Sequence, residues 1–152
     1  MVPGSDAIAG SELFAKATAE GDLRGMTEAA RGTPLHDLMG VTVVARDHDS
    51  ITMTMELGDA LRGAGAGSIH GGILATFADV ASAMAIDIDA SEIPVTTDLH
   101  VRYYRQPRSG PLTAQARLVH HGRRLLGTEC VVTDAEQRVL ARTTATYMLV
   151  PA

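Results

Sequence analysis

Asp79 is the one ionisable side chain in residues 71–86, GGILATFADVASAMAI, a stretch that is otherwise small or apolar. Transfer of a carboxylate into such surroundings costs several kcal/mol unless hydrogen bonds or charges compensate it. Burial also raises the pKa of a carboxyl group, which suits it to act as a base or a nucleophile near neutral pH. Asp79 is therefore a candidate catalytic residue, and the alternative is a buried acid that local hydrogen bonds satisfy.

Two glycines, Gly71 and Gly72, open this stretch directly after His70. If a helix begins there, its first backbone N–H groups have no partner within the helix and carry a partial positive charge. Such groups stabilise an oxyanion, and glycine lets a substrate approach the backbone closely. Gly71 is thus a candidate oxyanion donor with Gly72 in the substrate site, unless both glycines only relieve crowding where a loop enters a helix.

The histidines and the cysteine give weaker signals. His70 is a candidate acid–base residue, although its place before the helix suits a capping role equally well. The other five histidines show no spacing typical of metal ligands. Cys130 is the only cysteine, which excludes an intrachain disulfide and a multi-cysteine metal site. We expect neither a metal nor a cofactor.

The spacing between Gly71 and Asp79 constrains where the two groups can act. Eight residues of α-helix separate them by about 12 Å along the axis and about 80° around it. One carbonyl carbon cannot contact both groups at that separation. The spacing predicts a site made by two chains, in which a two-fold dimer places the Gly71 end of one helix against the middle of its partner's helix.

Residues 71–86 are too many for an ordinary strand and predict a helix of about 24 Å. This helix is apolar on nearly every face, so it should be buried all round. Most other segments are typical of strands: a hairpin that turns at 47–50, then strands within 94–106, 112–121, 123–134 and 138–150. Since the connections between the last four are short, we expect those strands to be antiparallel neighbours.

The remaining helix signals lie upstream of the hairpin. In the Ala- and Glu-rich N-terminal segment, Ser11 is a candidate N-cap and Gly21 a candidate helix end. A short helix is predicted next, with Thr33 as N-cap, Pro34 in the first turn and Gly40 as the stop. The predicted architecture is α+β, a curved antiparallel sheet of about six strands wrapped around one long central helix, with a helical N-terminal extension.

Composition excludes some classes of function. The 13 basic and 18 acidic residues give a net charge of −5, which argues against a general binder of nucleic acid or membrane surfaces. The first ten residues, MVPGSDAIAG, lack the features of a signal peptide, and no stretch is long and apolar enough to span a membrane. We therefore expect a cytoplasmic protein.

The segment HGGILATFADVASAMA, followed by a strand with DLHVRYYR, resembles the hotdog-fold acyl-CoA thioesterases of the phenylacetic-acid-degradation (PaaI-like) type. The resemblance covers about residues 34–149. It implies that residues 33–152 form a hotdog thioesterase domain, that residues 1–32 are a helical extension, and that the chain forms a homodimer or a dimer of dimers (a homotetramer).

The resemblance also implies roles for single residues in thioester hydrolysis. The Gly71 N–H would bind the thioester carbonyl, and Asp79 would attack it or activate a water molecule. By spacing, Thr97 would help to place that water or the acid. Many relatives carry Asn six residues before the histidine, where this chain has Ala64.

Arginines cluster in sequence near two predicted strand ends, and arginine suits phosphate recognition. They are candidates for holding the phosphates of coenzyme A, although an ordinary charged sheet edge would look the same: Arg102, Arg105, Arg108, Arg123 and Arg124. The expected partner is an acyl-CoA substrate. A non-catalytic acyl-CoA-binding or sensing module on the same fold is the alternative, whereas a hotdog dehydratase would need an acid further from His70, where residue 84 is Met.

Overall fold

The computed structural model describes residues 5–63, 68–87 and 91–152. Its helices are α1 (Ser5–Glu20), α2 (Leu23–Ala30), α3 (Pro34–Leu38) and α4 (Gly71–Met84), with a short 3-10 turn at Asp59–Leu61. Its strands are β1 (Thr42–Asp47), β2 (Ser50–Met55), β3 (Glu92–Tyr103), β4 (Leu112–His121), β5 (Leu125–Thr133) and β6 (Val139–Pro151).

The six strands form one antiparallel sheet in the order β1-β2-β4-β5-β6-β3, and α4 packs against five of them, β2 to β6. This is the predicted hotdog architecture, in which a sheet curves around a central helix. The predicted hairpin is confirmed, since β1 and β2 are joined at residues 47–50.

The prediction that the last four strands are sequential neighbours is wrong for β3 and β4. Strand β3 pairs with β6, whereas β4 lies between β2 and β5. The two strands are therefore three strand spacings apart, about 14 Å. Residues 104–111 connect them and can reach about 27 Å when extended. A connection of this length does not force two strands to be adjacent.

The face of α4 towards the sheet is closely packed, and Phe77, Ala78 and Ala81 are fully buried there. The opposite face is only half-buried in the single chain, and it includes Ala75 and Asp79. The helix is thus not buried all round by its own sheet, which leaves Asp79 within reach of a substrate.

Helix ends follow local signals in most places. Thr33 caps α3 by accepting a hydrogen bond from the backbone N–H of His36, and Gly40 adopts a positive φ of 61° after the helix, as predicted. Gly21, with φ 67°, ends α1. The prediction that Ser11 begins that helix is wrong, because α1 already starts at Ser5. Ala7 and Ala9, upstream of position 11, favour the helical conformation, so the helix begins nearer the N-terminus than predicted.

Helix α2 covers the outer edge of β1. The Val43 N–H donates to Thr27 Oγ1 at 2.9 Å, and Arg31 donates to the carbonyl oxygens of Val41 and Gly40 at 2.6 and 3.2 Å. At the other edge of the sheet lies β3. Within the described ranges no helix is long and apolar enough to cross a membrane.

Candidate active site

The Asp79 carboxylate lies between α4 and the β3–β6 strand pair. Tyr147 of β6 donates its hydroxyl to Asp79 Oδ1 at 2.7 Å. Thr96 of β3 donates to the same carboxylate, at 3.1 Å from Oδ1 and 3.3 Å from Oδ2. Thr96 and Tyr147 are directly opposite each other in the β3–β6 register, so both project towards the helix. These two donors compensate the cost of keeping a carboxylate among apolar residues.

Tyr147 is fully buried, with 0% of its surface exposed. Burial raises the pKa of its hydroxyl well above the usual range, and the hydrogen bond to Asp79 raises it further. The tyrosine is therefore neutral and acts as a hydrogen-bond donor to the carboxylate.

The family resemblance implies a role beside the acid for Thr97, but the Thr97 hydroxyl is directed elsewhere. Its hydroxyl donates to the carbonyl oxygen of Thr146 at 3.0 Å. The β3–β6 register shifts between Thr96 and Asp98, so Thr97 is the extra residue of a β-bulge. Thr96 contacts Asp79 in its place, and a count along the sequence cannot detect this exchange.

The second predicted element is the N-terminus of α4. His70 is the N-cap residue, and the first bond within the helix runs from the Ile73 N–H to the His70 carbonyl at 3.0 Å. The N–H groups of Gly71 and Gly72 precede that bond. Gly72 is exposed, and a Cβ atom added there would meet nothing within 4 Å. This helix end is open to a ligand.

Tyr103 and His70 are described neighbours of Gly71 and differ in their contacts. The Tyr103 hydroxyl donates to the Gly71 carbonyl at 2.8 Å and ties the helix end to the last residue of β3. The His70 side chain is exposed and makes no capping hydrogen bond.

Gly71 and Asp79 lie on one helix, at its start and in its middle, and they contact β3 seven residues apart, at Tyr103, its last residue, and at Thr96 respectively. The structure therefore does not bring Gly71, the candidate oxyanion donor, and Asp79 of one chain together.

The candidate arginines fall into two groups. Arg102 is exposed on β3 directly opposite Arg142 of β6, and both border a shallow pocket of about 340 Å³ that also includes His100 and Tyr104. No ion pair of Arg102 or Arg142 occurs within residues 5–63, 68–87 and 91–152. Side chains alternate along β6, so Arg142, five residues from the inward Tyr147, lies with Arg102 on the sheet face away from α4, and Glu129 borders the same pocket. Arg142 is not among the arginines predicted from the sequence, although it lies on the same face of the sheet as Arg102.

The other arginines lie at different places. Arg123 and Arg124 are exposed in the β4–β5 turn, where the Arg124 carbonyl accepts from the Leu149 N–H near the end of β6. Arg105 and Arg108 are exposed in the segment that follows β3. In a single chain these arginines do not form one cluster.

Two further predictions concern a metal ion and Ala64. In the described part of the chain, no group of three His, Cys, Asp or Glu side chains could hold a metal ion. Ala64, which stands where relatives often have Asn, lies outside the described residues.

The sequence profile of the Thioesterase superfamily matches residues 66–141, which include the helix with Gly71 and Asp79. The chain belongs to the Thioesterase superfamily.

Known structures show the same fold. A mutant thioesterase of Pseudomonas aeruginosa is 26% identical, with a TM-score of 0.77 over 86% of this chain and 95% of that one. A Haemophilus influenzae thioesterase is 20% identical, with a TM-score of 0.77 over 85% and 90% of the two chains. A Streptococcus mutans protein bound to acetyl-CoA is 24% identical, with a TM-score of 0.66 over 73% and 89%.

A curated relative also matches. A provisionally assigned esterase of Saccharolobus solfataricus is 25% identical over 84 residues, which is 55% of this chain. The match spans 56% of the length of that relative.

Proposed function

We propose that the protein is an acyl-CoA thioesterase that hydrolyses a thioester to a free acid and coenzyme A. The observation that carries this proposal is the half-buried Asp79 carboxylate, which Thr96 and Tyr147 hold on an otherwise apolar helix. Membership of the Thioesterase superfamily supports it. The acetyl-CoA complex of the S. mutans protein supports the choice of a CoA thioester, since the two chains share the fold.

The proposed enzyme is a homodimer that pairs through β3, or a tetramer built from such dimers. Strand β3 is the sheet edge away from α2, so it can pair with another strand. Two-fold antiparallel pairing would bring the Tyr103 end of one strand towards the Thr96 end of the other. Gly71, next to Tyr103, would then face Asp79 of the partner chain, next to the partner's Thr96.

The reaction follows from this arrangement. The thioester carbonyl accepts a hydrogen bond from the Gly71 N–H at the positive end of α4, which stabilises the developing oxyanion. The partner's Asp79 either takes a proton from water as the water attacks the carbonyl carbon, or attacks that carbon itself to give an anhydride that water then hydrolyses. The C–S bond breaks in either case, and the thiolate leaves and takes up a proton.

Substrate binding is assigned to the helix end and the arginines. Gly72 leaves room for the acyl thioester beside Gly71. The Arg102–Arg142 pair lies on the sheet face away from α4 and is not assigned to this site. The phosphates of coenzyme A would contact Arg105 of one chain, or the exposed Arg123 and Arg124 of its partner. Antiparallel pairing brings these opposite ends of the two chains close together. His70 lies at the opening of this site, and its acid–base role stays a prediction.

Thiol release from a panel of aryl-acetyl, short-chain and long-chain acyl-CoA substrates tests the proposal. Asp79→Asn should lower kcat by at least about a hundredfold without loss of fold, as removal of a general base does. Asp98→Asn is the matched control, because it changes an exposed acid on β3 in the same way. Parental turnover by folded Asp79→Asn would remove Asp79 from the mechanism. Tight acyl-CoA binding by the parent without any turnover would identify a binding module instead.

A further inference from the structure

Tyr147 contacts Asp79 at two oxygen atoms. Its hydroxyl lies 2.7 Å from Asp79 Oδ1 and 3.0 Å from the main-chain carbonyl oxygen of the same residue. A phenol has one proton to donate, and the shorter contact is the one to the charged oxygen. The side chain and the backbone of Asp79 are therefore fixed relative to β6 by a single buried group.

We propose that Tyr147 is the positioning residue that holds Asp79 Oδ1 and leaves Asp79 Oδ2 as the oxygen that reacts. This inference rests on the proposed thioesterase function. It assigns the two carboxylate oxygens different tasks, which neither the family nor the sequence spacing supplies.

The hydrogen bonds to the carboxylate are asymmetric. Oδ1 accepts from Tyr147 at 2.7 Å and from Thr96 at 3.1 Å, whereas within residues 5–63, 68–87 and 91–152 Oδ2 has only the longer Thr96 contact of 3.3 Å. The oxygen with fewer and longer bonds keeps its lone pairs available for a proton from water or for a carbonyl carbon. Tyr147 is fully buried, whereas Asp79 is half-buried, so the inference leaves Oδ2 to the side of the carboxylate that a substrate can reach.

Tyr147→Phe keeps the ring and its burial and removes only the donor. We expect kcat to fall about tenfold with little change in KM, since the hydrogen bond to a charged group is lost while substrate contacts remain. Removal of a donor makes a carboxylate easier to protonate, so the acid limb of the kcat profile should move to higher pH. A tyrosine that only packs would not move that limb.

A matched control is available on the same face of the sheet. Thr128→Val also deletes a buried hydroxyl, but this hydroxyl has no partner within the described residues and does not touch Asp79. Its kcat and pH profile should stay parental. If Tyr147→Phe fails to fold, 3-fluorotyrosine at position 147 provides the second test, because a more acidic phenol is a stronger donor and should move the acid limb to lower pH.

The outcomes separate this inference from the proposed function. Added to Asp79→Asn, Tyr147→Phe should cause no further loss, since it acts through that carboxylate. Full activity of Asp79→Asn would overturn the proposed mechanism itself. An inactive Asp79→Asn together with a parental kcat and pH profile for folded Tyr147→Phe would overturn only the role of Tyr147. An unshifted acid limb with 3-fluorotyrosine would do the same.

Discussion

The Thr96 hydroxyl spans the Asp79 carboxylate, at 3.1 Å from one oxygen and 3.3 Å from the other. The strand carries a second threonine, Thr97, whose hydroxyl turns away to the Thr146 carbonyl. The β-bulge at Thr97 thus determines which of the two adjacent threonines contacts Asp79.

Thr96→Val should therefore impair hydrolysis more than Thr97→Val. Each variant deletes one hydroxyl and keeps the β-branched shape. Loss of the Thr96 contact should lower kcat about five- to tenfold, because it removes a hydrogen bond to a charged group. Thr97→Val should act mainly on stability, through the lost bond to Thr146. Steady-state kinetics and melting temperatures measure both effects, and a larger kcat loss in Thr97→Val would show that the bulge is differently placed.

Two substitutions at Gly71 test whether its backbone N–H is needed for hydrolysis. Gly71→Pro removes the donor, and the His70 ψ of 132° is the extended backbone that a following proline requires. Gly71→Ala keeps the donor. In both variants the added Cβ lies 3.3 Å from Tyr103 Cζ, and this exposed ring can shift. The alanine variant should keep most activity and the proline variant should lose about a hundredfold in kcat, as for other oxyanion donors. Equal losses of kcat in the two variants would show that the Gly71 N–H does not stabilise the oxyanion.

If each site is built from two chains, a Gly71 variant and an Asp79 variant should restore activity when their chains are mixed. Gly71→Pro and Asp79→Asn homodimers should each be nearly inactive. A refolded equal mixture makes half of its dimers mixed under random pairing, and each mixed dimer has one intact site. About a quarter of all sites should then regain parental activity. Mass measurement confirms subunit exchange. No recovery after exchange would mean that both groups act within one chain.

The arginines should affect the nucleotide part of the substrate. Arg105→Ala, and separately Arg123→Ala with Arg124→Ala, should each raise KM for acyl-CoA about five- to tenfold. Acyl-pantetheine, which lacks the nucleotide, should be unaffected, because a remote phosphate contact contributes mainly binding. Arg102→Ala with Arg142→Ala is the control, since these exposed arginines lie on the sheet face away from α4. Equal effects on both substrates would exclude contact with the nucleotide.

Cys130 should not react with thiol reagents in the folded protein. It is buried, and burial raises the pKa of its thiol to about 12. Below that pH the unreactive thiol form dominates, so the thiolate is scarce throughout the neutral range. Ellman's reagent should detect no protein thiol at pH 8 before denaturation and one per chain afterwards. A native signal would show that the core around β5 opens.

Because one face of the central helix is buried, a charge introduced on that face should strongly lower the stability of the fold. Ala81 is fully buried, and Ala81→Asp would add an unpaired carboxylate to the core. The melting temperature should fall by more than about 10 °C. Ala19→Asp makes the same change at an exposed position of α1 and should cost only a few degrees. Similar melting of the two variants would place Ala81 at the surface.

Local rules predicted much of this fold because the relevant residues are close in sequence. Thr33, Pro34 and Gly40 define α3 by capping and backbone geometry alone. The long apolar run predicted α4, and its burial predicted a sheet curved around it. The β3–β4 adjacency failed because strand order depends on which edges meet in space, and a short connection limits only how far apart two strands can lie.

The candidate site could be predicted from the sequence where it depends on one helix and not where it depends on strand pairing. Gly71 and Asp79 lie at a spacing that the sequence displays. Thr96 and Tyr147 reach Asp79 only because β3 and β6 pair in one register, and the partners are about fifty residues apart in sequence. No local pattern marks a buried tyrosine on a strand as the partner of a distant acid.

The contacts that α2 makes with β1 also bear on how large an assembly could form. Exposed edge strands on both sides of a sheet let copies add end to end into a growing ribbon. Here Thr27 accepts from the outward N–H of Val43, and Arg31 donates to the carbonyl oxygen of Val41, next to the start of β1. If copies pair through β3, these contacts would hinder strand addition at the opposite edge, and the helical extension would then limit polymerisation.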